Sequence, residues 1–331
     1  MISVVIPTRN RGEFLGAALE SLTRQELSAD RFEVLVIDNG STDQTASVVD
    51  EYAARLENLR YFHAPEPGLH IGRHRGMMEA KGDVLVFADD DIEAFPSWLS
   101  SISETFADSK VAMVGGNNLP MFLKAPPAWL KRLWERPAMK HGRALPALSV
   151  LELMGGMREI SPYYVWGCNF AIRKDVLLAA GGFHPDGMPR ELIRFRGDGE
   201  THVSRYVAES GMKCIFHPGA SVYHKVTSER MSFAYFRQRG FNQGVSDSYT
   251  ALRNQGAVVH RDHHHPLKRI AGRVWRRLRD VFWVEPEAKQ ALSELKFGYH
   301  EGYAYHQRIY REDAEVREWV HKPKYFKERA V

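Results

Sequence analysis

Val84-Leu85-Val86-Phe87-Ala88-Asp89-Asp90-Asp91 is a run of five apolar residues leading directly into three carboxylates. A short, continuous apolar run rich in branched and aromatic side chains predicts a strand buried on both faces, as in a parallel sheet. Three adjacent carboxylates repel one another unless something positive neutralises them. Hard divalent cations do this, and they bridge phosphates. A solvated acidic loop is the plainer reading of a lone acidic triplet, but its place at the end of a buried strand favours a cation.

The flanking sequence repeats the pattern. Ile2 to Ile6 is apolar and closed by Pro7, and Phe32 to Ile37 is apolar and closed by Asp38-Asn39-Gly40. Leu59 to His63 and Val111 to Val114 are further strand candidates. Between them, Leu15, Ala18, Leu19 and Leu22 recur at helical spacing, as do Val49, Tyr52, Ala53 and Leu56 and then Leu99, Ile102 and Phe106. Residues 70–80 also predict a helix, and Thr42 or Asp43 is the expected N-cap of the second one. This alternation predicts an α/β fold with a mostly parallel, doubly wound sheet. In such sheets ligands bind beyond the carboxyl ends of the strands. The tips Thr8–Arg11, Asp38–Asp43 and Asp89–Asp91 all fall there.

Past residue 115 the pattern weakens. Residues 116–162, rich in Pro, Trp and Met, are expected to be an irregular insertion with a short helix near Trp129–Trp134. Residues 163–173 regain strand character, 174–180 and 199–210 look helical, 214–216 and 221–224 look like short strands, and the chain beyond 230 is expected to be helical.

Bulk properties exclude several classes. The 331 residues carry a net charge of +4, which does not indicate a general nucleic-acid binder. Cys168 and Cys214 are the only cysteines and form no disulfide framework. No apolar stretch approaches the roughly 20 residues that span a bilayer, and the short apolar run Met1–Pro7, without a positive n-region or cleavage site, is not expected to be a signal peptide. A cytoplasmic, soluble or peripherally bound protein is expected. No G-x-G-x-x-G follows the first strand and no G-x-x-x-x-G-K-[ST] occurs, which argues against a dinucleotide oxidoreductase and a P-loop enzyme. Pro7-Thr8-Arg9-Asn10-Arg11-Gly12 is a poor match to the Gly-rich phosphate loop of a nucleotidyltransferase.

Taken in order, Pro7-Thr8-Arg9-Asn10, Asp38-Asn39-Gly40-Ser41-Thr42-Asp43, Gly68 to Gly76, Ala80-Lys81-Gly82-Asp83, Asp89-Asp90-Asp91, Gly167-Cys168-Asn169-Phe170, Asp198-Gly199-Glu200 and His224 resemble the family-2 inverting glycosyltransferases of the GT-A fold. The resemblance spans residues 2 to about 226. It implies transfer of a sugar from a UDP-sugar donor to an acceptor hydroxyl, assisted by Mn²⁺ or Mg²⁺, with a glycan or lipid-linked acceptor and no covalent enzyme intermediate. The implied donor site comprises Pro7, Thr8, Arg9, Asn10, Asp38, Arg73, Asp89, Asp90, Trp166 and Asn169. Asp38 would accept from uracil or ribose, and Arg73 would reach the base or diphosphate. Asp43 would mostly cap. Asp91 is the implied direct metal ligand, joined by Asp89 and His224. Asp198 is the implied general base, although Gly197 stands where the family has Glu; Glu200 is a near competitor, and Glu191 and Asp186 are further alternatives. Trp166 could equally be core packing. The competing reading is a carbohydrate-binding or assembly module on the same fold, which would have lost the metal carboxylates and the base.

The resemblance divides the chain into a catalytic unit, 1–228, with a nucleotide-binding half (1–115) and an acceptor-side half (116–228), followed by a helical extension, 229–331. Within that extension, residues 268–280 hold six Lys or Arg against one Asp, and Ile270, Val274, Leu278 and Val281 form one helical stripe. Such a helix can lie on an anionic membrane surface through 268–283, or pack on the catalytic unit with its basic face in solvent. His260 and His263–His265 have no ligand partners at metal-finger spacing and read as a solvated loop.

Overall fold

The computed structural model describes residues 1–136, 142–254 and 285–326. The basic stretch 268–283 and the histidines at 260 and 263–265 lie outside the described residues.

Strands β1 (Ile2–Thr8), β2 (Phe32–Asp38), β3 (Leu59–His63) and β4 (Val84–Ala88) pair in parallel in the order β4-β1-β2-β3. Every residue of β1, β2 and β4 is buried, as their unbroken apolar runs require. Helices α1 (Gly12–Leu22), α2 (Thr45–Ala53) and α4 (Trp98–Thr105) cover one face through Leu15, Leu19, Val49, Trp98 and Ile102. Helix α3 (Leu69–Glu79), with α6 (Lys174–Ala179) and α7 (Thr201–Glu209), covers the other through Met77, Leu177 and Val203. At about 1.5–3 kcal/mol per fully buried aliphatic side chain, these two cores dominate the stability of the sheet.

Strands β5 (Ile92–Ala94) and β6 (Val111–Gly115) follow β4. Beyond β4 the main sheet continues with β11 (Asn169–Arg173), antiparallel to both β4 and β6, then β12 (Lys213–Phe216), parallel to β6, and the two-residue β10 (Arg158–Glu159).

The segment expected to be an irregular insertion is not irregular. Strands β7 (Asn118–Phe122), β8 (Gly142–Leu145) and β9 (Val150–Leu153), with β5 and β13 (Val222–Val226), form a second sheet ordered β5-β13-β7-β9-β8. Its strands are short, and four of the five residues of β7 are only half-buried, so no continuous apolar run announced them. Helix α5 (Ala128–Glu135) lies where Trp129–Trp134 predicted it, burying Trp129, Leu130 and Trp134. The strand expected from residue 163 begins only at Asn169; Pro162–Tyr164 form a single 3₁₀ turn.

Beyond β13 the described residues are mainly helical, as expected. Helices α8 (Phe233–Arg253) and α9 (Pro286–Glu312) pack along their lengths, and the short α10 (Ala314–His321) follows. The α8–α9 approach is set by glycine. A Cβ on Gly240 would stand 2.0 Å from the Leu295 carbonyl oxygen, and one on Gly298 would stand 2.0 Å from that of Arg237; Gly244 and Gly302 are as tight. Gly298→Ala should therefore force the helices apart and destabilise the fold by about 1–3 kcal/mol in chemical denaturation. Gly156→Ala, where a Cβ meets nothing within 4 Å, is the matched control and should fall within about 0.5 kcal/mol of wild type.

Candidate active site

Strand order places the site. The chain adds β2 and β3 on one side of β1 and then crosses to add β4 on the other, so β1 and β4 flank the topological switch point, where a crevice opens beyond their carboxyl ends. The ends of the two strands are tied there: Thr8 Oγ1 donates to Asp90 Oδ2 at 2.8 Å. A cavity of about 510 Å³ occupies the crevice, lined by Pro7, Thr8, Arg9, Arg11, Asn39, Asp89, Asp90, Asp91 and Arg230, with Gly68, Leu69, Gly187 and Pro189 along its rim.

Asp91 is the electrostatic centre. Arg11 Nη2 lies 2.6 Å and Arg230 Nη2 2.9 Å from its Oδ2, and His224 Nε2 lies 3.3 Å from its Oδ1. Burial alone would raise this carboxyl, but His224, Arg230 and Arg11 outweigh it and hold Asp91 well below the usual carboxylate range. Its neighbour goes the other way: burial pushes Asp90 up to about 7, against the pull of Arg11, whose Nε is 2.7 Å from Asp90 Oδ1. His224 comes from 133 residues downstream because β13 pairs with β5 in a register that sets His224 opposite Ile92, while Lys225 N donates to the Asp91 carbonyl at 2.9 Å. The second sheet, of which only the strand at 221–224 showed in the sequence pattern, therefore delivers this residue.

The donor atoms of Asp89, Asp91 and His224 converge within 4.8 Å of one another. Asp91 Oδ1, which faces His224 Nε2 at 3.3 Å, is buried without a hydrogen-bonding partner. Two carboxylate oxygens and one imidazole suit Mn²⁺ better than a purely oxygen-seeking ion, so the residues fit the divalent cation expected of them.

Other expected residues are placed differently. Asn10, with φ +53°, does not line the cavity; its Oδ1 accepts from Thr42 N at 2.7 Å and stitches the β1 and β2 turns together. Asp38 is buried, accepting from Ser41 N at 2.7 Å and Tyr61 OH at 2.5 Å. Its neighbour Asn39 is the residue that lines the cavity. The N-cap of α2 is Gln44, not Thr42 or Asp43; the Asp43 carboxylate instead ties the starts of α2 and α1 together, accepting from Thr45 N and from Gly12 N, both at 3.1 Å. Asn169 is a lock rather than a pocket residue: its Oδ1 accepts from Trp98 Nε1 at 3.0 Å and its Nδ2 donates to the Ala220 carbonyl at 3.0 Å. Trp166 is partly buried against both the main core and the Leu151–Phe216 cluster, its indole N–H donating to the Tyr163 carbonyl at 3.0 Å.

Arg73 does not line the cavity either. It is buried behind Asp89, with Nη2 3.9 Å from Asp89 Oδ1, Nη1 3.3 Å from Glu200 Oε2 and its guanidinium over the Phe183 ring. The fit is close enough that a Cβ on Gly167 would lie 2.2 Å from Arg73 Nη2. Through Arg73 the site acquires Glu200, the N-cap residue of α7, whose Oε1 also accepts from Gly167 N at 3.2 Å. Glu200 remains a quarter exposed.

The expected base is placed otherwise. Asp198 is buried and enclosed: Oδ1 lies 2.5 Å from His184 Nδ1, and Oδ2 accepts from Arg205 at 3.1 Å and from Thr250 of α8 at 2.7 Å. Burial would raise it, but His184, Thr250 and Arg205 hold it far below the ordinary range. Asp186, another candidate, is bound by Arg196 at 2.6 Å. Sequence reasoning gave Arg11 and Arg230 no role. Arg11 stood inside a turn already read as polar, and Arg230 lies in an unpatterned stretch after His224.

Residues 3–177 match the family model described as glycosyl transferase family 2. A glucosyl-dolichyl phosphate glucuronosyltransferase of Haloferax volcanii is 24% identical over 263 residues, 74% of this chain and 75% of its own length. Glycosyltransferase AglE of the same organism is 32% identical over 117 residues, but that match spans only 35% of this chain and 38% of the relative. Among solved structures, a mannosyltransferase of Pyrobaculum calidifontis in complex with GDP-Man and Mn²⁺ superposes with a TM-score of 0.53 at 18% identity, covering 97% of this chain and 83% of that one. Residues 1–349 of S. aureus TarS in complex with UDP-GlcNAc superpose with a TM-score of 0.51 at 15% identity, covering 94% and 91%. The fold is the GT-A fold with a helical C-terminal extension.

Proposed function

The chain belongs to glycosyl transferase family 2, and on that footing we propose that it transfers a sugar from a UDP-sugar to a hydroxyl of a lipid-linked or polymeric glycan by a single inverting displacement. The observation that carries this reading is the convergence of Asp89, Asp91 and His224 at the crevice between β1 and β4. The Haloferax relative named for glucuronosyl transfer and glucosyl-dolichyl phosphate, which aligns over three-quarters of both chains, supports a lipid-linked acceptor. The TarS complex with UDP-GlcNAc supports the uridine donor.

In this reading Asp89, Asp91 and His224 hold the divalent cation, which supplies charge stabilisation to the departing diphosphate when bound. Arg9 and Arg11 add positive charge at the same crevice, where preorganised charges act on what develops in the transition state. Thr8 and Arg11 fix Asp90, which orients the acidic loop. Glu200, rather than Asp198, is the general base. It is a partly exposed carboxylate joined to Asp89 through Arg73, whereas every oxygen of Asp198 is already taken by a donor.

The test is binding of UDP- and GDP-sugars by calorimetry with Mn²⁺, with Mg²⁺ and with chelator, on wild type and Asp91→Ala. One UDP-sugar should bind only with the cation, and Asp91→Ala should weaken it at least 10²-fold, since several kcal/mol of charge stabilisation rest on that ligand. Binding of no nucleotide sugar under any condition would refute the transferase reading and bring forward the carbohydrate-binding module. Binding of a GDP-sugar alone would refute the uridine assignment.

A further inference from the structure

Arg230 sits in the 3₁₀ turn Glu229–Met231, just past β13. Its guanidinium donates from Nη2 to Asp91 Oδ2 at 2.9 Å and from Nη1 to His224 Nε2 at 3.2 Å. It therefore engages two of the three side chains that converge as a cation-ligand set. The lone pair on His224 Nε2 serves a guanidinium proton or a metal, not both at once. A unit positive charge about 3 Å from Asp91 also opposes a second cation there.

Arg11 shares Asp91 but is anchored elsewhere, by Asp90 at 2.7 Å and by stacking over Phe14. Among the described residues Arg230 has no other side-chain hydrogen bond, and it lines the cavity itself. Its release removes only contacts that an entering cation would replace. A freed guanidinium in that cavity meets its strongest partner in a diphosphate, which it binds bidentately.

We propose that Arg230 is an internal counter-cation: it competes with the divalent cation for Asp91 and His224, and transfers to the donor's diphosphate as the cation enters. Cation and nucleotide then bind synergistically, because the cation alone must expel Arg230 into solvent whereas the pair gives it a new partner. This rests on the nucleotide-sugar reading above.

The experiment is an Mn²⁺ titration followed by electron paramagnetic resonance, with and without UDP, on wild type, R230Q and R230K, with circular dichroism as the check on folding. Without UDP, R230Q should bind Mn²⁺ roughly tenfold more tightly than wild type, within the usual range of inter-site coupling. UDP should strengthen Mn²⁺ binding markedly in wild type and much less in R230Q. R230K keeps the charge but loses the fork and should lie between them; if R230Q is poorly folded, R230K against wild type tests the same direction. Equal or weaker Mn²⁺ binding in the folded variants, with an undiminished UDP effect, would overturn the role of Arg230 and leave the donor reading intact. A wild type that binds neither Mn²⁺ nor UDP would overturn both.

Discussion

Glu200→Gln should lower turnover by about 10²–10⁴-fold, the usual contribution of general-base catalysis, while leaving Mn²⁺-dependent UDP-sugar affinity within a few-fold of wild type. Glutamine keeps the shape, and its one carbonyl oxygen can still accept from Gly167 N or from Arg73, which hold the two oxygens of Glu200. It cannot take a proton. The donor contacts lie on the other side of Arg73, at Asp89 and the crevice beyond it. A kcat loss without a matching loss of donor affinity therefore separates a proton-transfer role from a structural one. The pH profile supplies a second test: the acidic limb of kcat/KM that reports the base should vanish in the variant. If Glu200→Gln turns over normally, the base lies elsewhere, and Asp198 returns as the candidate despite its enclosure.

Asp198→Asn should instead behave as a stability variant, losing on the order of 3 kcal/mol in denaturant unfolding. The carboxylate is buried against His184 and Arg205 and joins α8 to the catalytic unit through Thr250. The amide leaves Arg205 without its counter-charge. The folded protein holds this carboxyl below its unfolded value, so its contribution is fully present above about pH 4 and fades as pH falls further. The gap between wild type and variant should therefore be widest above pH 4 and close in acid.

A second acid sensitivity should appear earlier and in both proteins. Burial pulls His70 down to about 4, His74 to about 3 and His202 to about 4. These rings are neutral when folded but bind protons when unfolded below about pH 6.5. Stability is thus complete above pH 6.5 and declines as pH falls toward 4. These histidines cluster near the docked C-terminal segment: His70 packs against Trp319 and Tyr325, His74 against Phe326, and His202 stacks on His184. Acid should therefore loosen that segment before the sheet.

The strands β1, β2 and β4 could be read directly because a strand buried on both faces must be apolar at every position, and the carboxylates that end β4 could face only the crevice. Local order alone therefore determined the α/β class and the acidic centre at Asp89–Asp91, while the switch point followed only from the strand order. Of the second sheet only the strand at 221–224 could be read, since strands as short as β7, β8 and β9 carry no periodicity strong enough to distinguish them from loops. With the rest of the sheet went the register that seats His224 beside Asp91 and brings Arg230 onto both. The choice between Asp198 and Glu200 was likewise closed to sequence. The two carboxylates stand two residues apart at the start of one helix, and what separates them is their company: His184, Arg205 and Thr250 around one, Gly167 and Arg73 around the other. A carboxylate's chemistry is set by the charges and donors within a few ångströms of it, and those arrive from distant segments only when the chain folds.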